Sequence, residues 1–282
     1  MSDALSPTPP PEPAEPLLTG PLLTGPGLAG RPSRRRLLGG AVTLGGAAVL
    51  AAATSLGSSA SAATRPYIST RAQWQARAPR STATILSRVP DHIVVHHTAT
   101  ANSTDYSVNH AYALSRSIQN FHMDGNGWAD VGQQFTISRG GYLMEGRNRT
   151  IYALDTRTHV VGAQCAGHNE HTVGIECEGL YTSTGPPTAL WNTLVRLCAY
   201  LCDLYGIAPS SGIVGHRNYV ATACPGDTFY GMLPRLRQDV AAAMGLVGAA
   251  GAAHPLPDLG RGLRGPRRAF DHGPALAAGE RG

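Results

Sequence analysis

The sequence predicts an α/β fold: a single domain in which a central mixed β-sheet is flanked by helices, between a disordered N-terminal leader and a disordered C-terminal tail. Three observations carry that prediction. Short β-branched runs with a period of two recur through the middle of the 282-residue chain. Longer stretches with apolar residues on one helical stripe interleave with them, as in layered α/β domains. Much of the Gly and Pro (34 and 21 residues) is concentrated toward the two ends, so less of the chain builds a core than its length suggests.

Residues 1–33 are Pro-rich and repeat Pro16-Leu-Leu-Thr-Gly20 as Pro21-Leu-Leu-Thr-Gly25, with nothing that could bury a core. Ser33-Arg34-Arg35-Arg36-Leu37-Leu38 then leads into a Gly/Ala/Val/Leu stretch ending at Ser59-Ala60-Ser61-Ala62. Paired Arg, a weakly apolar middle and an Ala-x-Ala end resemble a twin-arginine signal peptide cleaved after Ala62. The competing reading is a single membrane anchor, which the small residues at the end of the stretch disfavour. No Cys stands near the cleavage site, so a lipid anchor is not expected. The expectation is an extracellular, wall-associated protein with no membrane anchor after cleavage.

The folded domain is expected over residues 63–246. His92-Ile-Val-Val-His-His97 reads as a buried strand, and residues 108–122 as a helix stopping before Gly125. Residues 134–138 and 142–145, joined across Gly140-Gly141, read as a hairpin. Thr172-Val-Gly-Ile-Glu-Cys-Glu178 alternates, with Val173, Ile175 and Cys177 on one face and Glu176 and Glu178 on the other. A helix after Pro186-Pro187 aligns Leu190, Leu194, Leu197 and Leu201 and ends at Gly206. A further strand is expected at 211–215 and a third helix over 229–244. Residues 247–282 read as a disordered low-complexity tail.

Charge narrows the function. The formal net charge is +5, every basic residue is Arg, and the domain is close to neutral, so a nucleic-acid binder with a basic face is not expected. Outside the leader no uninterrupted apolar run is long enough to span a membrane.

His96 and His216 each end a predicted strand, where a side chain can project from the sheet edge. Cys224 follows eight residues after His216, in a loop before a helix. Two imidazoles and a thiolate are three of the four ligands zinc takes, and an open fourth position separates a catalytic from a structural site. Spacing alone leaves a hydrogen-bonded core histidine as the competing reading.

Longer motifs add to this. VVHHTAT at 94–100, IQNFHMDGNGWADVG at 118–132, EGR at 145–147 and GHRNYVATACPGD at 215–227 resemble the peptidoglycan recognition protein family. Its relatives include the zinc amidases of bacteriophage-lysozyme type. TRAQW at 70–74 resembles the family's N-terminal signature, so the likeness runs from about Tyr67 to Leu236.

The resemblance implies zinc ligands at His96, His216 and Cys224, the last a residue that purely binding members usually lack. It implies that Thr222 donates a hydrogen bond to the oxyanion of the attacked amide, and that His97 is a buried or supporting group. Animal and phage members carry Tyr after D-x-G, where this chain has Gln133. The bacterial muropeptide amidases lack that Tyr and use a Glu on the strand matching VGIECEG at 173–179, which implies Glu176 as general base. The competing reading is that Glu176 and Glu178 decorate a solvated strand face.

The implied activity is that of a secreted zinc-dependent N-acetylmuramoyl-L-alanine amidase. Zn2+ is the cofactor, peptidoglycan the partner, and a monomer is expected. Trp128, Arg147, His159, Asn169 and His171 are candidates to line the cleft, each with a structural role as the alternative. A peptidoglycan-binding module that keeps zinc without turnover is the alternative function. A secreted zinc peptidase lacks the H-E-x-x-H helix it would need.

Four further cysteines remain. Cys198 and Cys202 stand one helical turn apart and are poorly placed to pair with each other. Two disulfides would then join Cys165 and Cys177 to that helix, in either order; free buried thiols are the alternative.

Overall fold

The computed structural model describes residues 63–246, 256–263 and 270. The leader, the twin-arginine motif and the cleavage site lie outside the described residues. Among the described residues no helix is long and apolar enough to cross a membrane.

The elements follow in order: β1 (Ile85–Leu86), β2 (His92–His97), α1 (Val108–Asn120), β3 (Phe135–Ile137), β4 (Leu143–Glu145), α2 (Thr150–Thr156), β5 (His159–Val160), β6 (Thr172–Cys177), α3 (Thr188–Tyr205), α4 (Pro209–Gly212), β7 (Ile213–Gly215), α5 (Asp227–Gly231) and α6 (Leu233–Ala243). The main sheet has the order β4-β3-β6-β2-β7. The pairs β3–β6, β6–β2 and β2–β7 are parallel, and β3–β4 is the expected antiparallel hairpin. This is the mixed α/β sheet that the sequence predicts. β1 and β5 pair apart from it as a two-stranded ribbon.

Alternation along the central strands divides the sheet into two chemically different faces. Ile93 and Val95 of β2, Phe135 and Ile137 of β3, Val173, Ile175 and Cys177 of β6, and Ile213 of β7 face one way. They pack with Leu190, Leu194, Leu197 and Leu201 of α3 and Leu236 and Val240 of α6 into the main core. The leucine stripe read from the sequence is therefore the seam between α3 and the sheet. Gly206 ends α3 at φ 71°, a left-handed conformation suited to glycine. A second cluster sets Ala111, Leu114 and Ile118 of α1 against Trp74, Val131 and Met144.

Several boundaries differ from expectation. The third helix is two: α5 ends at Gly231 and α6 restarts at Leu233, with Pro234 in its first turn. Proline has no N–H to continue a helix through that position but fits a first turn. The strand expected at 211–215 forms only from Ile213, because Pro209–Gly212 makes one helical turn. Helix α1 closes with a wide turn over Phe121–Gly125. Cys177, Cys198, Cys202 and Cys224 are buried free thiols, so the two disulfides expected from Cys165 and Cys177 to α3 are not formed.

Part of the expected tail is in fact held against the domain. Asn218 Nδ2 donates to Pro257 O at 2.8 Å, and the Leu259 N–H donates to Arg217 O at 3.0 Å. Gly260 lies so close to the Thr222 carbonyl that a Cβ there would meet its oxygen at 1.8 Å. The Phe270 N–H donates to Thr98 O at 2.9 Å, and its ring stands 5.5 Å from that of Phe121. The remaining tail residues lie outside the described ones.

Candidate metal centre and its carboxylate

The sheet face opposite the α3–α6 core carries the polar residues. On β2 that face holds His92, Val94 and His96; on β6 it holds Thr172, Gly174 and Glu176. The parallel register pairs them in the same order, so His96 stands beside Glu176. His96 and Glu176 are 0% and 1% exposed. The solvated-face alternative for Glu176 is thereby corrected: the tail end of β6 is covered, and its carboxylates are buried. Glu178 has a structural part, with Oε1 at 2.5 Å from His110 Nε2 and Oε2 accepting from the Arg139 N–H at 2.7 Å.

His216 follows β7 directly, in a single 3-10 turn over His216–Asn218. Cys224 comes from the loop before α5. His96, His216 and Cys224 are all buried and offer ligand atoms within 4.8 Å of one another. The three residues singled out as a metal set are thus brought together. Cys224 Sγ lies 3.7 Å from His96 Nδ1. A tetrahedral ion with bonds of about 2.3 Å to sulfur and 2.0 Å to nitrogen would separate those atoms by about 3.5 Å. The donor set and spacing therefore fit zinc. Burial pushes the Cys224 thiol well up, and the His97 N–H, which donates to Sγ at 3.4 Å, offsets this only in part. A thiolate in so dry a place calls for a cation beside it.

Three residues position these donors. Gln164 Oε1 accepts from His96 Nε2 at 2.6 Å, while Gln164 Nε2 donates to Thr172 Oγ1 at 2.8 Å. The second bond orients the amide, the first places the His96 proton on Nε2, and Nδ1 is left to face the thiol. Asn169 Oδ1 accepts from the N–H groups of Gln164 and Cys165 at 2.8 and 2.9 Å, bracing the loop that carries the amide. Arg217, buried, donates through Nη2 to Ala223 O at 2.5 Å and through Nη1 to Asp227 Oδ1 at 2.7 Å. It fastens the Cys224 loop to the turn that carries His216.

Thr222 Oγ1 accepts from the Cys224 N–H at 3.2 Å. Gln133 is fully buried and donates through Nε2 to Thr136 Oγ1 at 2.9 Å. Thr136 is the register partner of Glu176, so Gln133 reaches the strand position beside the carboxylate.

The remaining candidates are dispersed. Trp128 packs its ring 4.6 Å from that of His122. Arg147 is buried and donates to Val131 O at 3.3 Å. His159 Nε2 donates to Asn169 O at 2.8 Å, and His171 Nδ1 donates to Asp91 Oδ1 at 2.7 Å. Asn169 and His159 therefore serve the Gln164 loop. Sequence reasoning missed Gln164, which lies in no pattern. It also missed Arg217, although this residue stands inside the GHRNYVATACPGD motif.

Residues 86–227, half of the chain, match the model of the family described as N-acetylmuramoyl-L-alanine amidase. The chain belongs to this family. Among amidase relatives, the human N-acetylmuramoyl-L-alanine amidase is 32% identical over 171 residues, 60% of this chain. The match spans only 28% of the length of that human protein. The wild-type structure of Drosophila peptidoglycan recognition protein LB superposes with a TM-score of 0.52 at 26% identity, over 59% of this chain and 92% of that one. Peptidoglycan recognition protein LE, solved in complex with tracheal cytotoxin, a monomeric diaminopimelic acid-type peptidoglycan, gives 0.52 at 26%, over 60% and 92%. The family match takes in both ligand-bearing motifs, VVHHTAT at 94–100 and GHRNYVATACPGD at 215–227.

Proposed function

We propose that this amidase-family protein is an exported, zinc-dependent N-acetylmuramoyl-L-alanine amidase. Its substrate is the amide joining N-acetylmuramic acid to the L-Ala of a peptidoglycan stem peptide. The observation that carries this reading is the strand register that seats the buried carboxylate of Glu176 beside His96, one of three donors in a His-His-Cys group. Three protein donors suit a catalytic zinc site, where a closed structural site takes four.

His96, His216 and Cys224 would hold a zinc ion, which would supply Lewis acidity toward the amide carbonyl and make water a stronger acid at neutral pH. Glu176 takes the proton of the attacking water and delivers it to the departing amine of L-Ala. Thr222, whose Oγ1 already accepts from the Cys224 N–H, has its hydroxyl proton to give to the oxyanion of the tetrahedral state. Gln164 keeps the His96 ring in one tautomer and orientation throughout. Burial of Glu176 and Thr222 excludes bulk water and strengthens each of these charge interactions.

Peptidoglycan as the partner is supported by the relative LE, whose structure holds a monomeric peptidoglycan. Export is supported by the Arg34-Arg35 pair and the Ala60-Ser-Ala62 end of the leader. The protein acts as a monomer, released from its leader without an anchor.

The test is hydrolysis of purified peptidoglycan by the chain beginning at Ala63, following newly exposed L-Ala amino termini with zinc and with chelator. Chelator-sensitive release is the expected result. Absence of release from a folded, zinc-loaded protein would overturn the enzymatic reading. It would leave a binding module, with Gln133 in place of the family tyrosine as the reason.

A further inference from the structure

Besides the His96–His216–Cys224 group, a second set of described side chains brings three metal-ligating atoms within 4.8 Å of one another: Asp91, His92 and His171. It lies at the opposite end of β2. His92 and His96 share a face four residues apart, which is about 13 Å at strand rise. No step assigned above uses it.

We propose that Asp91, His92 and His171 form a second, solvent-open site for a borderline divalent transition cation such as Zn2+, Ni2+ or Cu2+. His168 is the partner that orients His171.

Backbone pairing presets the three side chains. His92 is in register with Thr172 where β2 and β6 begin side by side, and the Asp91 N–H donates to His171 O at 2.9 Å. The loops that enter the two strands are thus tied at the point where the candidate ligands sit. Asp91 Oδ1 then accepts from two imidazoles at once, from His92 Nδ1 at 2.6 Å and from His171 Nδ1 at 2.7 Å. The two rings are nearly perpendicular, at 88° with centroids 6.2 Å apart.

A divalent cation can replace the two protons that converge on that oxygen. Each ring exchanges its Nδ1 proton for one on Nε2 through solvent and stays neutral, His168 Nδ1 then accepting from His171 Nε2, so that two nitrogens and one carboxylate oxygen take the cation on one side. Bonds of about 2.1 Å at right angles set such ligand atoms about 3 Å apart. The two oxygen-to-nitrogen gaps, 2.6 and 2.7 Å, need open by only a few tenths of an ångström. Two imidazoles with a single carboxylate select first-row transition ions over calcium or magnesium, which prefer all-oxygen sites.

The orienting partner is already in place. His171 Nε2 lies 3.1 Å from His168 Nδ1, and the His168 ring stacks on Tyr219 at 4.1 Å and 24°. A metal-bound histidine characteristically gives its other ring nitrogen to such a partner. The side chains of His92, His171 and Asp91 are 29%, 32% and 62% exposed, so water can fill the remaining coordination positions. Arg88, a nearby cation, is already paired with Glu170 at 3.0 Å.

The test is a Co2+ titration of the metal-stripped full chain. Absorption from thiolate-to-cobalt charge transfer reports the ion beside Cys224, and cobalt d–d absorption reports every bound ion. The expected result is that d–d absorption goes on rising by a further equivalent after the thiolate band has saturated. His92→Ala and His171→Ala, made separately, lose that equivalent and keep the thiolate band. Equal uptake by wild type and both variants overturns the site. If a histidine variant melts early, Asp91→Asn, altered at an exposed carboxylate, decides in its place by the same criterion. A second equivalent with no thiolate band would sink the proposed catalytic centre and leave this site standing.

Discussion

Gln164 lies flat across β6 to reach His96, and it can do so only because residue 174 has no side chain. A Cβ on Gly174 would stand 2.5 Å from Gln164 Cγ, while the amide beyond it bonds His96 Nε2 at 2.6 Å and Thr172 Oγ1 at 2.8 Å. One missing side chain on one strand therefore governs the orientation of the His96 ring on the next.

Gln164→Leu keeps the bulk of that side chain and removes the acceptor. Zinc affinity is expected to fall about 10–100-fold, the usual cost of losing the partner of a ligating histidine. Competition against a chromophoric chelator measures it. Gly174→Ala should move affinity in the same direction by displacing the amide, and Gln164→Glu, which still accepts from Nε2, should restore most of it. Wild-type affinity in both Gln164→Leu and Gly174→Ala would show that the amide is a bystander.

Glu176→Gln removes the proposed proton carrier with little change of shape. Hydrolysis should drop by about 10²–10⁴-fold, the range for loss of a general acid–base, with zinc content unchanged. A variant that hydrolyses peptidoglycan at the wild-type rate would transfer the role to another group, Gln133 being excluded as a base by its amide.

Cys224→Ser replaces the thiolate with a hydroxyl that stays protonated. Bound zinc and activity should vanish together, and the stabilisation that zinc gives the native chain should go with them. At a free zinc concentration 100 times the dissociation constant that stabilisation is about 2.7 kcal/mol. Thermal melts of wild type with zinc and with chelator, beside those of the variant, read the difference.

Acid should loosen the Gln164 loop through His159. Burial, the larger influence, depresses the His159 imidazole below its ordinary value against the opposing bond to Asn169 O. The unfolded chain then binds more protons than the folded one between the folded value and about 6.5. Stability from the neutral ring is complete above that upper limit and declines as pH falls through the window, by at most about 1.4 kcal/mol per pH unit. His159→Gln should flatten the fall in melting temperature between pH 7.5 and 5.5. An unchanged slope would assign the acid sensitivity to other groups.

Much of this was readable in the sequence, for reasons tied to particular residues. The alternation of Val173, Ile175 and Cys177 marked a strand with one core face, and Leu190 to Leu201 marked the helix that covers it. His96, His216 and Cys224 stood in motifs long enough to be recognised. Gln164 did not, because a glutamine that works by reaching over a glycine ten residues later leaves no periodic trace. The break at Met232 hid within a run of apolar residues, Phe229, Tyr230, Met232, Leu233 and Leu236, that reads on across it. β1 and β5, two residues each, are too short for alternation to register. The anchored part of the tail depends on Asn218, Arg217 and Thr222, residues far away in sequence that present carbonyls and an amide to it.

The buried thiols set an order of events in the life of the chain. Cys177, Cys198 and Cys202 sit in the main core with their thiols pushed up by burial, Cys202 to about 12. They contribute as small apolar groups, and the domain closes around them with no cross-link. Folding and metal capture can therefore be completed in a reducing compartment, before any passage to an oxidising one. With zinc as the proposed occupant, the vulnerability lies in timing: Cys224 would have to meet its ion before it meets an oxidant, because a sulfur oxidised first is lost to the metal for good once past the sulfenic stage.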